Sequence, residues 1–411
     1  MTPASIVGCN IYISAAASHS STLLHLLSRA QDHCRQLRVQ NYAKGRDTNS
    51  NNKLDGHESI ASVAIVHAYA DIPYNRSSFH LSGTSECVSD VAGRLICNAL
   101  NEIDLDDDNN RNNKSGDDKG GESRHPFVGL VDHVSVMPIL YPKINTQGDM
   151  SSICEAAANS ARLIGKQISE TNLVNVLYYG KACPNNTPLA TVRRERTSFF
   201  KSGGTVDIDQ SQSNDITKQN DSAIKTKIAL KGDTTIGTPT NFVENLNIRL
   251  TSNVSLEQAK TLTQFVRGRN ISTKGYGVDG VEALTLPYIR DTSEGGKVYE
   301  VACNLTNPQE GSAENVMTQL EKWIDMQRQQ KLSATNHGGD DGAGPVDISK
   351  FNYDYFVEDA YRVGTTEEQC LDVLLKGRLD DNNDRLSSVK RDLYWEEYDK
   401  EVFRKFKECL Q

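Results

Sequence analysis

The order in which apolar periods change along this chain limits its fold more than any other feature. Ser5–Ile13 (SIVGCNIYI) is a short apolar run of strand type. Leu23, Leu26, Leu27, Ala30, Cys34 and Leu37 then fall on one helical face, with Ser18 to Ser21 available as N-caps. SVAIVH (62–67) and RSSFHLS (76–82) read as strands, and Val88, Val91, Ala92, Leu95, Ile96, Ala99, Leu100 and Ile103 form a long helical stripe. VGLVDHVSVMPI (128–139) follows as a strand. The order is βαββαβ, which is the split βαβ or ferredoxin-like unit. A helix over roughly 151–169, a strand LVNVLYYG (173–180) and a short helix at 187–196 extend it.

After a polar gap the order recurs. FVENLNIRL (242–250) is a strand with Leu246, Ile248 and Leu250 alternating against polar neighbours. A helix at about 255–267, strands VEALTLPYI (281–289) and KVYEVACNL (297–305), and a helix at about 312–330 complete βαββα. The expected fold is therefore α/β of the α+β kind: two ferredoxin-like subdomains side by side, with a cleft between their sheets as the natural ligand site. The last segment differs. FNYDYFVEDAY (351–361) is aromatic and acidic, and Leu393, Tyr394, Tyr398, Val402, Phe403 and Phe406 make an amphipathic helix whose expected task is packing. The boundaries read as 1–200 for the first subdomain, 201–231 for a polar linker, 232–332 for the second subdomain and 333–411 for a linker and helical tail.

Polar stretches at 41–58, 104–124, 202–226 and 333–347 bury too little apolar surface to offset ordering entropy, so they are expected as loops and a linker. The Asp-rich run at 104–118 lacks the spacing of a calcium loop. The formal net charge of −9 argues against bulk binding to nucleic acid or anionic lipid. No apolar run approaches the ~18 residues needed to span a bilayer, and the start reads as a strand rather than a targeting segment. Nine scattered cysteines without a CxxC pair suit reduced thiols and a cytoplasmic setting. Serine-hydrolase elbow, Walker loop, dinucleotide fingerprint, HExxH and Cys/His clusters are all absent from the sequence, so no metal is expected.

One string stands out. A polar insert runs into His125–Pro126, then Gly129, then a strand carrying Asp132 and His133. Pro126 biases His125 toward extended geometry at a strand mouth. Histidine is the side chain that takes and returns a proton near neutrality, and Asp132 is placed to orient or charge-tune a ring.

HPFVGLVDHVSVMPI (125–139) resembles the His-Pro-Arg-apolar-Gly-x-x-Asp segment of the formiminotransferase N-terminal subdomain, most of all the single-function plant and algal versions. CNIYIS (9–14), YNRSSFHLSG (74–83), NVLYYGKA (175–182), LATVRRE (189–195), IGTPTNFVENLNIRL (236–250) and GVEALTLPY (280–288) resemble further family segments in the same order. That resemblance implies transfer of a formimino or formyl group between N5 of tetrahydrofolate and the amine of glutamate, with no metal. It implies His125 as general acid and base, with Asp132 orienting it or meeting the pterin. Tyr12 and Ser14 would lie on the ligand loop, and Asn75 and Arg76 on the Asn-Arg strand. Tyr179 would stack while Gly180 permits close approach, unless both simply end a strand. Arg193 would hold a carboxylate; Arg194 and Arg196 read as solvated helix charges. It also implies folate and glutamate as small-molecule partners, and a homodimer.

This chain departs from the family at three places. Tyr12-Ile13-Ser14-Ala15-Ala16 replaces the acidic, glycine-containing first loop. Phe127 replaces the Arg after His-Pro, and a polar insert at 202–226 stands where a Gly/Pro/Ser-rich folate segment is found. The residues left after the two subdomains are too few for a cyclodeaminase half. Folate binding without turnover, or a scaffold acting through the tail helix, are the alternative expectations.

Overall fold

In the computed structural model, residues 5–47, 63–104, 126–140, 150–197, 231–271, 275–289, 297–336, 352–377 and 385–411 are described. Most of the four polar inserts lies outside them. The chain divides into two compact units, 1–242 with 364–411 and 243–363.

Unit 1 opens with β1 (Ile6–Ile13) and α1 (Ser20–Asp47), then β2 (Val63–Asp71), β3 (Arg76–Thr84), α2 (Ser85–Glu102) and β4 (Val131–Pro138). Next come α3 (Met150–Ser169), β5 (Asn175–Gly180), α4 (Leu189–Arg196) and β6 (Asp233–Thr238). These strands form a six-stranded sheet in the order β2-β3-β1-β4-β6-β5. Its first four strands are the antiparallel split βαβ arrangement read from the sequence, and β6 and β5 extend it as parallel strands. Strand alternation decides what each face holds. Val7, Cys9, Ile11 and Ile13 of β1 are fully buried in the core with Leu23, Leu26 and Leu27 of α1 and the α2 stripe Val88, Val91, Ala92, Leu95, Ile96, Ala99 and Leu100. Gly8, Asn10 and Tyr12 take the opposite parity.

Unit 2 holds β7 (Glu244–Leu250), α5 (Leu256–Val266), β8 (Val281–Ile289), β9 (Lys297–Leu305), α6 (Ala313–Asn336), the one-turn α7 (Tyr353–Phe356) and β10 (Val357–Arg362). A capping box at Ser255 and Gln258 starts α5 by satisfying two otherwise orphaned backbone N–H groups. The sheet order is β10-β7-β9-β8, antiparallel throughout. This repeats the strand order of the first four strands of unit 1. Its core is built around Trp323 and Phe356, whose rings meet edge to face at 5.6 Å.

The unit boundaries differ from those read in the sequence, for three local reasons. Asp233–Thr238, assigned there to the second subdomain, pairs instead between β4 and β5. The aromatic, acidic stretch at 351–361, read with the tail, leads into β10, the fourth strand that βαββα lacked. The remaining tail forms α8 (Glu367–Lys376) and α9 (Arg385–Cys409), both in unit 1. Val402 and Phe406 of α9, and Leu410 just after it, enter the unit 1 core, where Phe406 meets Phe79 at 5.2 Å. Burying such a phenylalanine fully contributes about 2–3 kcal/mol. Helices α1 and α6 also run to Asp47 and Asn336, so the flanks of two polar inserts are helical.

Candidate functional site

The face of the unit 1 sheet opposite the α1/α2 core carries a row of polar and aromatic residues. Register sets Tyr12 of β1 opposite Ser78 of β3 on one side and His133 of β4 on the other. His133 stands opposite Thr235 of β6. The His133 ring is stacked between two phenols: Tyr12 at 5.8 Å and 23°, Tyr179 at 5.3 Å and 27°. Tyr179 reaches across because its neighbour in the register, Gly237, has no side chain. A Cβ at Gly237 would lie 2.6 Å from the Tyr179 ring. His80 meets Tyr12 edge-on at 6.1 Å and continues the row to His67 at 5.5 Å.

Asp132 precedes His133 and reaches its partners through a β-bulge. The β1/β4 register steps from Tyr12↔His133 to Ile13↔Val131, leaving Asp132 as the extra residue on β4. Bulges re-aim a side chain in this way. The carboxylate is fully buried and multiply bonded: Oδ1 accepts from the backbone N–H of Val128 at 3.0 Å, and Oδ2 accepts from Arg76 at 3.0 Å and Arg193 at 3.1 Å. Arg76 also covers the Tyr12 ring, 4.7 Å from its centroid. Two guanidiniums on one carboxylate leave a local excess of positive charge, favourable for an incoming anion.

Thr235 fixes the form of the histidine. Its hydroxyl donates to the backbone carbonyl of Asp132 at 2.8 Å, so its oxygen can only accept from His133 Nδ1 at 3.2 Å. That network assigns the proton to Nδ1 and leaves Nε2 as the acceptor, 3.4 Å from the Tyr179 hydroxyl. Burial, reinforced by the charge of Arg193, holds the His133 pKa down at about 3. Burial also lowers His67 to about 4 and places His80 well below its usual value. The phenols of Tyr12 and Tyr179 are pushed up by burial, and so stay protonated and able to donate.

The residues expected from sequence separate into groups. Tyr12, Arg76, Asp132, Tyr179 and Arg193 converge on the one row. Ser14 and Asn75 carry backbone bonds: Ser14 donates to the Gly129 carbonyl at 3.0 Å, and Asn75 accepts from the Ala16 N–H at 2.9 Å. Asn75 sits at φ 47°, a left-handed position that asparagine tolerates. Gly180 ends β5 at φ 56°, where a Cβ would lie 2.1 Å from the Thr238 carbonyl oxygen. His125 lies outside the described residues, as do 105–124 before it. His133, Thr235 and Gly237 were not singled out as site residues. The Asp-His pair in a strand was the available signal for His133, whereas β6 was hidden by its place beside a polar gap. Among the described residues no group of three His, Cys, Asp or Glu side chains is placed to hold a metal, and no helix is long and apolar enough to cross a membrane.

Comparison with known proteins agrees with this geometry. Residues 35–237 match the sequence model of the formiminotransferase domain, N-terminal subdomain. That match ends inside β6, consistent with the strand belonging to unit 1, and begins after β1, so Tyr12 and Ser14 fall outside it. A formiminotransferase cyclodeaminase-like protein of Arabidopsis thaliana is 23% identical over 272 residues, covering 63% of this chain and 77% of the relative. Among solved structures, a periplasmic protease PqqL of Escherichia coli aligns with 99% of this chain at 9% identity and a TM-score of 0.18, and the chain spans only 41% of its length. So low a score carries no argument. The matched region, which holds Arg76, Asp132, Tyr179 and Arg193, is of the formiminotransferase N-terminal subdomain type.

Proposed function

We propose that this protein is a folate-dependent one-carbon transferase, moving a formimino or formyl group between N5 of tetrahydrofolate and the amine of glutamate. The reading is supported above all by one juxtaposition: the Tyr12–His133–Tyr179 stack beside two arginines pinned by Asp132. The planar pyrimidinone of a reduced pterin, with carboxylates on the folate tail, matches those two features, so the residues fit the group. Tetrahydrofolate, when bound, supplies the one-carbon unit on N5. Tyr12 and Tyr179 give the ring apolar faces and phenol donors. Arg76 and Arg193, already desolvated and oriented, hold a carboxylate of folate or glutamate. His125 takes the proton that the attacking amine loses and returns one to the departing nitrogen. Val128, three residues further along the chain, is tied to Asp132 through its backbone N–H. Such acid–base assistance contributes about 10²–10⁴-fold. The reading also includes a cytoplasmic setting, from the scattered cysteines, and a homodimer, implied by family likeness.

Binding without turnover is the second reading, and the histidine energetics favour giving it weight. The described histidines of this row, His67, His80 and His133, are held neutral, so none is poised to cycle a proton near pH 7. His125 alone can distinguish the two. Purified protein with 5-formiminotetrahydrofolate and glutamate is expected to release tetrahydrofolate, and His125→Ala to slow release at least 100-fold while 5-formyltetrahydrofolate still binds. Binding with no product from either the formimino or the formyl donor defeats the transferase reading and leaves the binding one.

A further inference from the structure

A cavity in unit 1 is lined by residues of α1 and α9. It is open, about 1150 Å³, and lined by Val39, Trp395 and Phe403 among others. Six Arg or Lys side chains line it against three carboxylates, in a chain of net charge −9. Its apolar wall is partly bare: Val39 is 61% exposed. Arg38 covers the Trp395 ring at 4.3 Å and pairs with Oδ2 of Asp399 at 2.8 Å. This buried pair is neutral in sum, so it does not repel an anion.

The second observation is a missing partner. Asp399 is 4% exposed, yet its Oδ1 accepts no hydrogen bond among the described residues. Trp395 is equally buried, and its indole N–H has none among them either. Native structures seldom leave such groups unmatched, because each costs about 1–3 kcal/mol. Asp399 lines the cavity, so a ligand with an N–H donor would satisfy its Oδ1.

We infer that the α1/α9 cavity is a binding site for a small aromatic anion that carries an N–H donor. A nucleotide or an aryl sulfonate has that chemistry: a flat body for Val39 and Phe403, a donor for Asp399, and a negative group for the basic rim at Arg35, Arg391 and Lys407. Nothing in the one-carbon reaction uses these residues.

The probe is 8-anilinonaphthalene-1-sulfonate, an aromatic amine with one negative charge, titrated into the full chain. One saturable site with quenching of Trp395 emission is expected. Arg35→Glu/Lys407→Glu, two exposed positions, is expected to weaken binding about tenfold and leave 5-formyltetrahydrofolate affinity and the thermal transition unchanged. Lys407→Glu alone is expected to weaken it about threefold, should the double variant unfold. The uncharged N-phenyl-1-naphthylamine is expected to bind at least tenfold more weakly, and inorganic phosphate not to compete at equal concentration. Absence of a saturable site, equal binding of the uncharged analogue, displacement by 5-formyltetrahydrofolate, or indifference to both charge reversals would each overturn the assignment.

Discussion

His133 and Tyr179 lie face to face at 5.3 Å with the phenol oxygen 3.4 Å from Nε2, and this pairing holds a neutral imidazole inside a sheet. The fold therefore favours the uncharged ring, with consequences for acid stability. The folded pKa of about 3 lies below the unfolded value near 6.5, so below pH 6.5 the unfolded chain binds the proton first. Stability is complete above about pH 6.5 and falls as pH drops toward 3. Between pH 7 and pH 5, urea titration of the wild type should show a loss to which His133 adds about 1–2 kcal/mol. His133→Gln should be less stable at pH 7 but lose less on going to pH 5. An equal loss in both proteins would mean that His133 is protonated in the folded state.

Asp132→Asn should be among the most damaging single substitutions in unit 1. It leaves Arg76 and Arg193 without their shared counter-charge, and removing one partner of a buried pair costs about 3–5 kcal/mol. The double variant Asp132→Asn/Arg193→Met should recover part of that loss. A drop in stability below 1 kcal/mol for Asp132→Asn would show that the carboxylate does not hold this cluster together.

Gly237→Ala should act on Tyr179. The new methyl would lie 2.6 Å from the Tyr179 ring and 2.2 Å from its carbonyl oxygen, so strand and ring must shift. Overpacking of this kind costs about 1–3 kcal/mol. Affinity for 5-formyltetrahydrofolate, read by calorimetry, should fall roughly tenfold if stacking is worth about 1.4 kcal/mol. Tyr179→Phe keeps the stack, loses the hydroxyl's bonds to His133 and Ser135, and should change affinity less than threefold. Similar affinity losses in Gly237→Ala and Tyr179→Phe would count against stacking.

Deleting 350–411 should unfold both units, not trim a dispensable tail. The cut removes β10 from the unit 2 sheet and α9 from the unit 1 core. Phe406→Ala alone should cost about 3–5 kcal/mol, since its ring is fully buried against Phe79. A soluble, cooperatively melting 1–349 fragment in differential scanning calorimetry would contradict this packing.

Much of the fold was legible because burial on a helix or strand leaves a period in the sequence. The α2 stripe is found in the core residue by residue, and alternate residues of the apolar β1 run join it. What escaped was pairing at a distance. Nothing in DTTIGT says that it will lie between β4 and β5, and nothing in VEDAYR says that it will close the second sheet, because both are exchanges of backbone bonds with remote partners. The site shows the same division. Arg76, Asp132 and Arg193 are visible as residue types, but a bulge brings the carboxylate to its arginines, and bulges leave no period to read. His133 was visible as half of an Asp-His pair, yet its neutral state follows from burial that only the assembled sheet provides.

Tyr398 in α9 donates to the carbonyl of Val66 in β2, a contact that closes over 332 residues. At ribosomal speeds of about 5–20 residues per second, β2 and β3 wait roughly 15–65 s for the helix that completes them. During that interval the apolar surface around Phe79 is uncovered on a nascent polypeptide. That surface stays open to aggregation until α9 emerges, and pausing late in translation lengthens the exposure.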